Sequence, residues 1–167
     1  KILDDDTIIV ADPGTPCPYL SAFYEVRMPG RTLFSNRAHG ALGYAMSAAM
    51  GAYIGCPERK VVAVMGDGSF GFTCGELETV ARKNMPITFI VLSNAVFGWI
   101  KAGQRSNFDE RYFSVDFNRT DHAAVASAFG IKSYKVESPN ELESILREAI
   151  NYGGPTLVDI ITQPLHK

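Results

Sequence analysis

The chain has 167 residues, 46% of them hydrophobic and 20% charged, which is ordinary globular usage and enough to enclose one core. A formal charge of −2 with no basic cluster excludes nucleic acid as the main partner. Cys17, Cys56 and Cys74 are scattered and form no C-x-x-C pair, so neither a zinc site nor a disulfide frame is signalled, and a reducing, cytoplasmic setting is the default. His39, His122 and His166 have no ligand spacing either. The chain opens at Lys1 with a short acidic run, which leads us to expect a piece of something longer.

Thr7 to Ala11 is apolar and reads as a buried strand ending in the turn cluster Asp12-Pro13-Gly14-Thr15-Pro16. A short helix near Tyr19 to Glu25 and a short strand at Thr32 to Phe34 are expected next. Ala38 to Cys56 carries no charge and has to be tested as a membrane span. It is too rich in Gly, Ala and Ser for one, and we expect no membrane partner. Gly43, Ser47, Gly51 and Gly55 recur at every fourth position, as in a helix, here about Ala41 to Ile54, that packs very close to a neighbour.

Val61 to Met65 is valine-rich and reads as a strand buried on both faces. Gly66-Asp67-Gly68-Ser69 follows it. Thr73 and Glu76 have capping-box spacing, which predicts a helix start there, with Leu77, Val80 and Ala81 on its apolar face and Asn84 and Pro86 at its end. Capping then accounts for Glu76 and a solvated face for Glu78, so the two are not read as a catalytic pair. Ile87 to Leu92 is a second buried strand, ending at Ser93-Asn94. A short helix from Phe97 to about Ala102 should follow, with Phe97 and Trp99 as core or pocket wall. Ser106 to Asn118 is polar and aromatic without a period and reads as a loop over the site. Asp121 caps a helix to Phe129 closed by Gly130, and Ser133 to Val136 is a strand. Ser138-Pro139 opens a helix whose apolar positions Leu142, Ile145, Leu146, Ala149 and Ile150 keep helical spacing, and Thr156 to Ile161 is the last strand. Strands alternating with helices imply an α/β fold, a three-layer sandwich with a parallel sheet covered on both faces, as a single domain over residues 1–167.

Ligands of such sheets bind beyond the carboxyl ends of the strands. Asp12-Pro13-Gly14-Thr15, Gly66-Asp67-Gly68 and Asn94 all stand at strand ends and gather on one edge. Glycines there let a ligand approach the main chain. A strand feeding a helix through a glycine turn favours an anion, and an aspartate beside that anion calls for a cation between them. The rival is a dinucleotide-binding module, since Gly66-Asp67-Gly68-Ser69-Phe70-Gly71 spells G-x-G-x-x-G. Against it, Asp67 would face a pyrophosphate, and the next strand ends in Ser93-Asn94 rather than in an acid.

Gly66-Asp67-Gly68-Ser69 with Ser93-Asn94 resembles the motif of the thiamine-diphosphate-dependent enzymes, Gly-Asp-Gly followed after a spacer by Asn-Asn. Serine replaces the first asparagine here, and Asn94 keeps the second. Asn36 to Tyr44, Asn94 to Ile100, Arg111 to Gly130 and Gly154 to Ile160 are similar, in order, to the C-terminal diphosphate-binding domain of the acetolactate synthase, benzoylformate decarboxylase and pyruvate oxidase group. The resemblance implies thiamine diphosphate and Mg2+ as cofactors. It places the metal on Asp67, Asn94 and the main-chain oxygen of Val96, and adds Gly66, Gly68, Ser69, Phe97 and Gly98 to the cofactor-binding set. Gly14 and Thr15 would touch the diphosphate or pyrimidine. The Gly40 carbonyl would accept a bond from the aminopyrimidine, and Leu42 would wedge between the two rings. His39, next to Gly40, is read as structural. No catalytic residue is expected in this chain, because the activating glutamate of the family belongs to another domain.

The same resemblance implies the last domain of a longer, homo-oligomeric enzyme that decarboxylates a small 2-oxo acid, with or without ligation to a second carbonyl. Its partner would be a pyrimidine-binding domain of the same or a neighbouring subunit, without which the chain would be inactive. A catalytically silent partner subunit is the other alternative. The acetolactate synthases usually carry methionine and tryptophan where Trp99 and Gly103 stand here, so the pocket near the substrate should differ in shape.

Overall fold

The structure is a computed structural model and describes residues 2–164; His166 lies outside them. Six strands form one sheet: β1 (Ile8–Ala11), β2 (Leu33–Ser35), β3 (Val61–Gly66), β4 (Ile87–Ser93), β5 (Lys132–Val136) and β6 (Thr156–Ile161). Their spatial order is β2-β1-β3-β4-β6-β5 and every pairing is parallel. The helices between them are α1 (Pro16–Phe23), α2 (Tyr44–Gly55), α3 (Asp67–Thr73), α4 (Leu77–Arg82), α5 (Gly98–Asn107), α6 (His122–Ala128) and α7 (Pro139–Ile150).

The apolar run of β3 and that of β4, interrupted at Thr88, are what strands covered on both faces require. One face of the sheet, with Ile8, Val10, Ala63, Met65, Phe89 and Val91, packs on α2, α4 and α6. The other packs Val136 and Val158 against Leu142, Ile145 and Leu146 of α7. The α/β sandwich expected from the alternation is therefore present.

The order of strands reverses twice. From β1 the chain runs out to β2 and returns on the other side as β3; from β4 it runs out to β5 and returns beside β4 as β6. Segments leaving neighbouring strands diverge at such points and open a crevice at the carboxyl ends. The ends of β1, β3, β4 and β6 all deliver residues to that crevice.

Several boundaries differ from the sequence reading. The helix expected from Thr73 starts at Asp67 instead, because Phe70 is buried in the core and draws the chain into a helical turn directly after Gly66. Thr73 caps nothing; its hydroxyl donates to the carbonyl oxygen of Gly43 at 3.4 Å, and a 3-10 turn over Cys74–Glu76 links α3 to α4. Helix α1 begins at Pro16, earlier than expected, and α5 runs on to Asn107, past the expected end at Ala102. Helix α2 starts at Tyr44 rather than Ala41, since Gly43 before it is left-handed at φ 88°. No helix among the described residues is long and apolar enough to cross a membrane.

Gly43 is fixed twice over: by its φ, and because a Cβ there would lie 2.9 Å from Thr73 Cγ2. Gly51, in the exposed interior of α2, has open space around it. We expect Gly43→Ala to lower the unfolding free energy by about 1–3 kcal/mol, and Gly51→Ala to leave it unchanged or raise it by up to about 1 kcal/mol. Denaturant midpoints measure both.

Candidate functional site

Asp67, the first residue of α3, is 5% exposed. Its Oδ1 accepts the amide of Gly68 at 2.9 Å, and its Oδ2 accepts the amides of Asn94 and Ala95 at 2.7 and 2.6 Å. The tip of β3 is thereby tied to the loop after β4. Ala95 turns that loop through the left-handed region at φ 60°. Asn94 Oδ1 accepts the amide of Val96 at 3.2 Å, closing a side-chain turn. From outside, the loop is clamped by the 115–117 segment. Phe97 N donates to Val115 O at 2.8 Å, Phe117 N donates to Ala95 O at 3.1 Å, and the rings of Phe97 and Phe117 meet at 5.1 Å. The expected covering loop thus supports the site from behind.

Gly68 has to be glycine here. A Cβ on it would fall 2.2 Å from the Phe97 ring, so α3 and the loop after β4 could not close together.

A second aspartate works in the same way one strand over. Asp12, at the end of β1, is fully buried; its Oδ1 accepts Gly43 N at 3.2 Å and its Oδ2 accepts Ala45 N at 2.8 Å. It caps α2 from a distance in sequence. Burial pushes its carboxyl above the usual aspartate range, against the pull of the hydrogen bonds from Ala45, Ser69 and Gly43.

The crevice is a cleft of about 260 Å³. Gly14, Thr15, Leu42, Gly66, Asp67, Gly68, Ser69, Asn94, Val96, Phe97 and Gly98 line it together. Of the residues named from sequence, Gly40 is not brought there; it is exposed, with φ 71°. His39 is exposed beside it. Trp99 is a wall of the cleft, 55% exposed, and not part of the core. Glu78 pairs with Arg82 at 2.8 Å on the surface, as a solvated residue should. Tyr19, Thr162 and Gln163 also line the cleft and were missed. Their placement depends on which strand ends adjoin, which spacing does not reveal. Among the described lining residues there is no lysine, arginine or histidine, and Asp67 is the sole acid.

The family model described as thiamine pyrophosphate enzyme, C-terminal TPP binding domain, matches residues 12–160. The chain is 32% identical over 163 residues to a probable acetolactate synthase large subunit of Methanococcus aeolicus, covering 97% of this chain and 27% of that protein. It is 34% identical over 158 residues to an acetolactate synthase of Bacillus subtilis, covering 95% and 27%. A similar match, 32% over 162 residues with 94% and 27% covered, is to an acetolactate synthase large subunit of Porphyra purpurea. The chain thus spans about a quarter of the length of these relatives.

Asp12 generates a pH dependence. Its folded pKa is raised from the usual 3.8, so the folded state binds this proton more readily than the unfolded one. Its contribution to stability is complete below the unfolded pKa and declines as pH rises through the folded one. Wild type minus Asp12→Asn, compared by denaturant unfolding, should therefore favour wild type most near pH 4 and less toward pH 7. A difference that grows with pH would contradict this origin.

Proposed function

Because the chain belongs to the family of C-terminal TPP-binding domains of thiamine pyrophosphate enzymes, we propose that its cleft holds thiamine diphosphate by the diphosphate end through a magnesium ion. The observation that carries the metal is the charge of the lining. A diphosphate entering this cleft meets the Asp67 carboxylate and no cationic side chain among the described residues. The compensating charge has to arrive with the ligand, as a metal ion.

The donor set fits magnesium. Magnesium takes oxygen ligands in an octahedron and is held by one or two carboxylates together with phosphate oxygens, rather than by an all-protein cage. A carboxylate has roughly four acceptor positions. Three amides occupy three of those on Asp67, leaving a position for a cation. Asn94 adds an amide oxygen and Val96 a main-chain oxygen at the same cleft. Among the described residues no three His, Cys, Asp or Glu side chains are grouped so that they could hold a metal ion by themselves.

The other residues take their roles from position. Apart from Gly68, whose amide is taken by Asp67, the amides of the first turn of α3 have no main-chain partner within the helix and favour an anion there. Gly14, Thr15 and Gly98 line the cleft too, with Gly98 close against Thr15. Leu42, half-buried among the lining residues, would wedge between the rings, with Gly40 nearby in the chain as a carbonyl acceptor. Bound thiamine diphosphate supplies the electron sink for breaking the bond between a 2-oxo carbon and its carboxylate.

For the whole protein we propose an acetolactate synthase-like enzyme that decarboxylates a 2-oxo acid and ligates it to a second carbonyl. The support is the names of the relatives. In that protein this chain is the last domain, and a pyrimidine-binding domain of the same or a neighbouring subunit supplies the activating glutamate within a homo-oligomer. A glutamate in such a domain of the same protein would separate this enzyme from a silent partner subunit. Three unpaired cysteines support a reducing, cytoplasmic setting.

Asp67→Ala in the full-length protein should weaken magnesium-dependent binding of thiamine diphosphate on the order of 100-fold or more, read by calorimetry. Unchanged affinity would overturn the metal assignment. The 167-residue chain alone should release no carbon dioxide from any 2-oxo acid, even with both cofactors added.

A further inference from the structure

Behind the cleft, on the α6 side of the sheet, three polar side chains are buried together: Ser93 on β4, His122 opening α6, and Asp159 on β6. None of them lines the cleft. Ser93 Oγ lies 2.8 Å from His122 Nδ1, and Asp159 Oδ2 lies 3.3 Å from the same nitrogen. Asp159 Oδ2 also accepts the amide of His122 at 3.0 Å. The Ser93 hydroxyl and the imidazole share one hydrogen bond, whose direction is set by the histidine tautomer. The imidazole stands edge-on to Phe70 of α3, with ring centres 5.2 Å apart.

Such a cluster is a poor way to gain stability. Asp159 interrupts the apolar run Leu157-Val158-Asp159-Ile160, is fully buried, and leaves Oδ1 without a partner among the described residues. An apolar residue at that place would pack without this desolvation cost. What the cluster does accomplish is to hold Ser93. The Ser93 main-chain oxygen is held as well, by Thr162 N at 2.8 Å, Thr162 Oγ1 at 3.3 Å and Arg119 at 3.4 Å. Ser93 precedes Asn94, and beyond it the loop turns on the left-handed Ala95. The direction in which Asn94 and Val96 present their oxygens depends on where β4 ends. Phe70, against the same imidazole, lies one turn from Asp67. One buried histidine therefore touches Ser93, the neighbour of Asn94, and Phe70, one turn after Asp67.

We infer that His122 and Asp159, acting through Ser93, are positioning residues that lock the end of β4 so that Asn94 and Val96 face the same metal ion as Asp67. This rests on the reading of the cleft given above. The test is calorimetric titration of magnesium into the full-length apo-protein with thiamine diphosphate in excess. Absence of binding in wild type would overturn the reading of the cleft, and this inference with it. Where wild type binds, Ser93→Ala and His122→Phe should each raise the apparent magnesium dissociation constant about tenfold. The double variant should be no worse than the weaker-binding single, since both break one link. Wild-type magnesium affinity in Ser93→Ala and His122→Phe, whatever their melting temperatures, or losses that multiply in the double variant, would show a merely structural role. Ser93→Ala removes a single hydroxyl and decides the matter alone should His122→Phe fail to fold.

Discussion

The carboxylate of Asp67 joins two elements that the chain reaches far apart. Its two oxygens gather amides from the start of α3 and from the loop after β4. A buried carboxylate is tolerated only when hydrogen-bonded or paired with a cation. The amides meet the first condition and leave room for the second. The tight features around it follow from that closure: the bare Cα of Gly68 under the Phe97 ring, the left-handed Ala95, and the side-chain turn of Asn94.

Asp12 repeats the device at the end of β1, where it captures the start of α2 and so sets the Leu42 segment at the lip of the cleft. Neither clamp uses a cationic side chain. The ion pairs of this chain sit mainly on its surface, where such pairs contribute little. The consequence is a cleft whose walls are main chain, glycine and apolar side chains around one acid. Such a wall offers an anionic ligand no cationic side chain among the described residues.

Much of this was legible because it is local. Buried strands appear as apolar runs, and a ligand edge appears as runs ending in glycine, aspartate or asparagine. That sufficed to gather Gly14, Thr15, Gly66, Asp67, Gly68 and Asn94 on one edge, whereas Leu42, Ser69, Val96, Phe97 and Gly98, which line the same cleft, were named from the family resemblance. The misplaced start of α3 shows the limit: Thr73 and Glu76 have the spelling of a capping box, while the burial of Phe70 three positions earlier decides the helix. Asp12 read as part of a turn, since its partners Gly43 and Ala45 are brought to it only by the β1–β3 crossover. Ser93 read as a departure from Asn-Asn at the metal edge, whereas it faces away from the cleft to His122. A lone aspartate inside a strand of valine, leucine and isoleucine was the signal that a polar partner had to lie opposite it.

The most direct test of the account is the place of the metal. Crystals of the full-length protein grown with thiamine diphosphate and Mn2+ in place of Mg2+ should give an anomalous peak touching the Asp67 carboxylate, the Asn94 amide oxygen and the Val96 carbonyl oxygen. Diphosphate oxygens should complete its octahedron. A diphosphate bound in this cleft with no metal at Asp67, or a metal bound elsewhere, would contradict it.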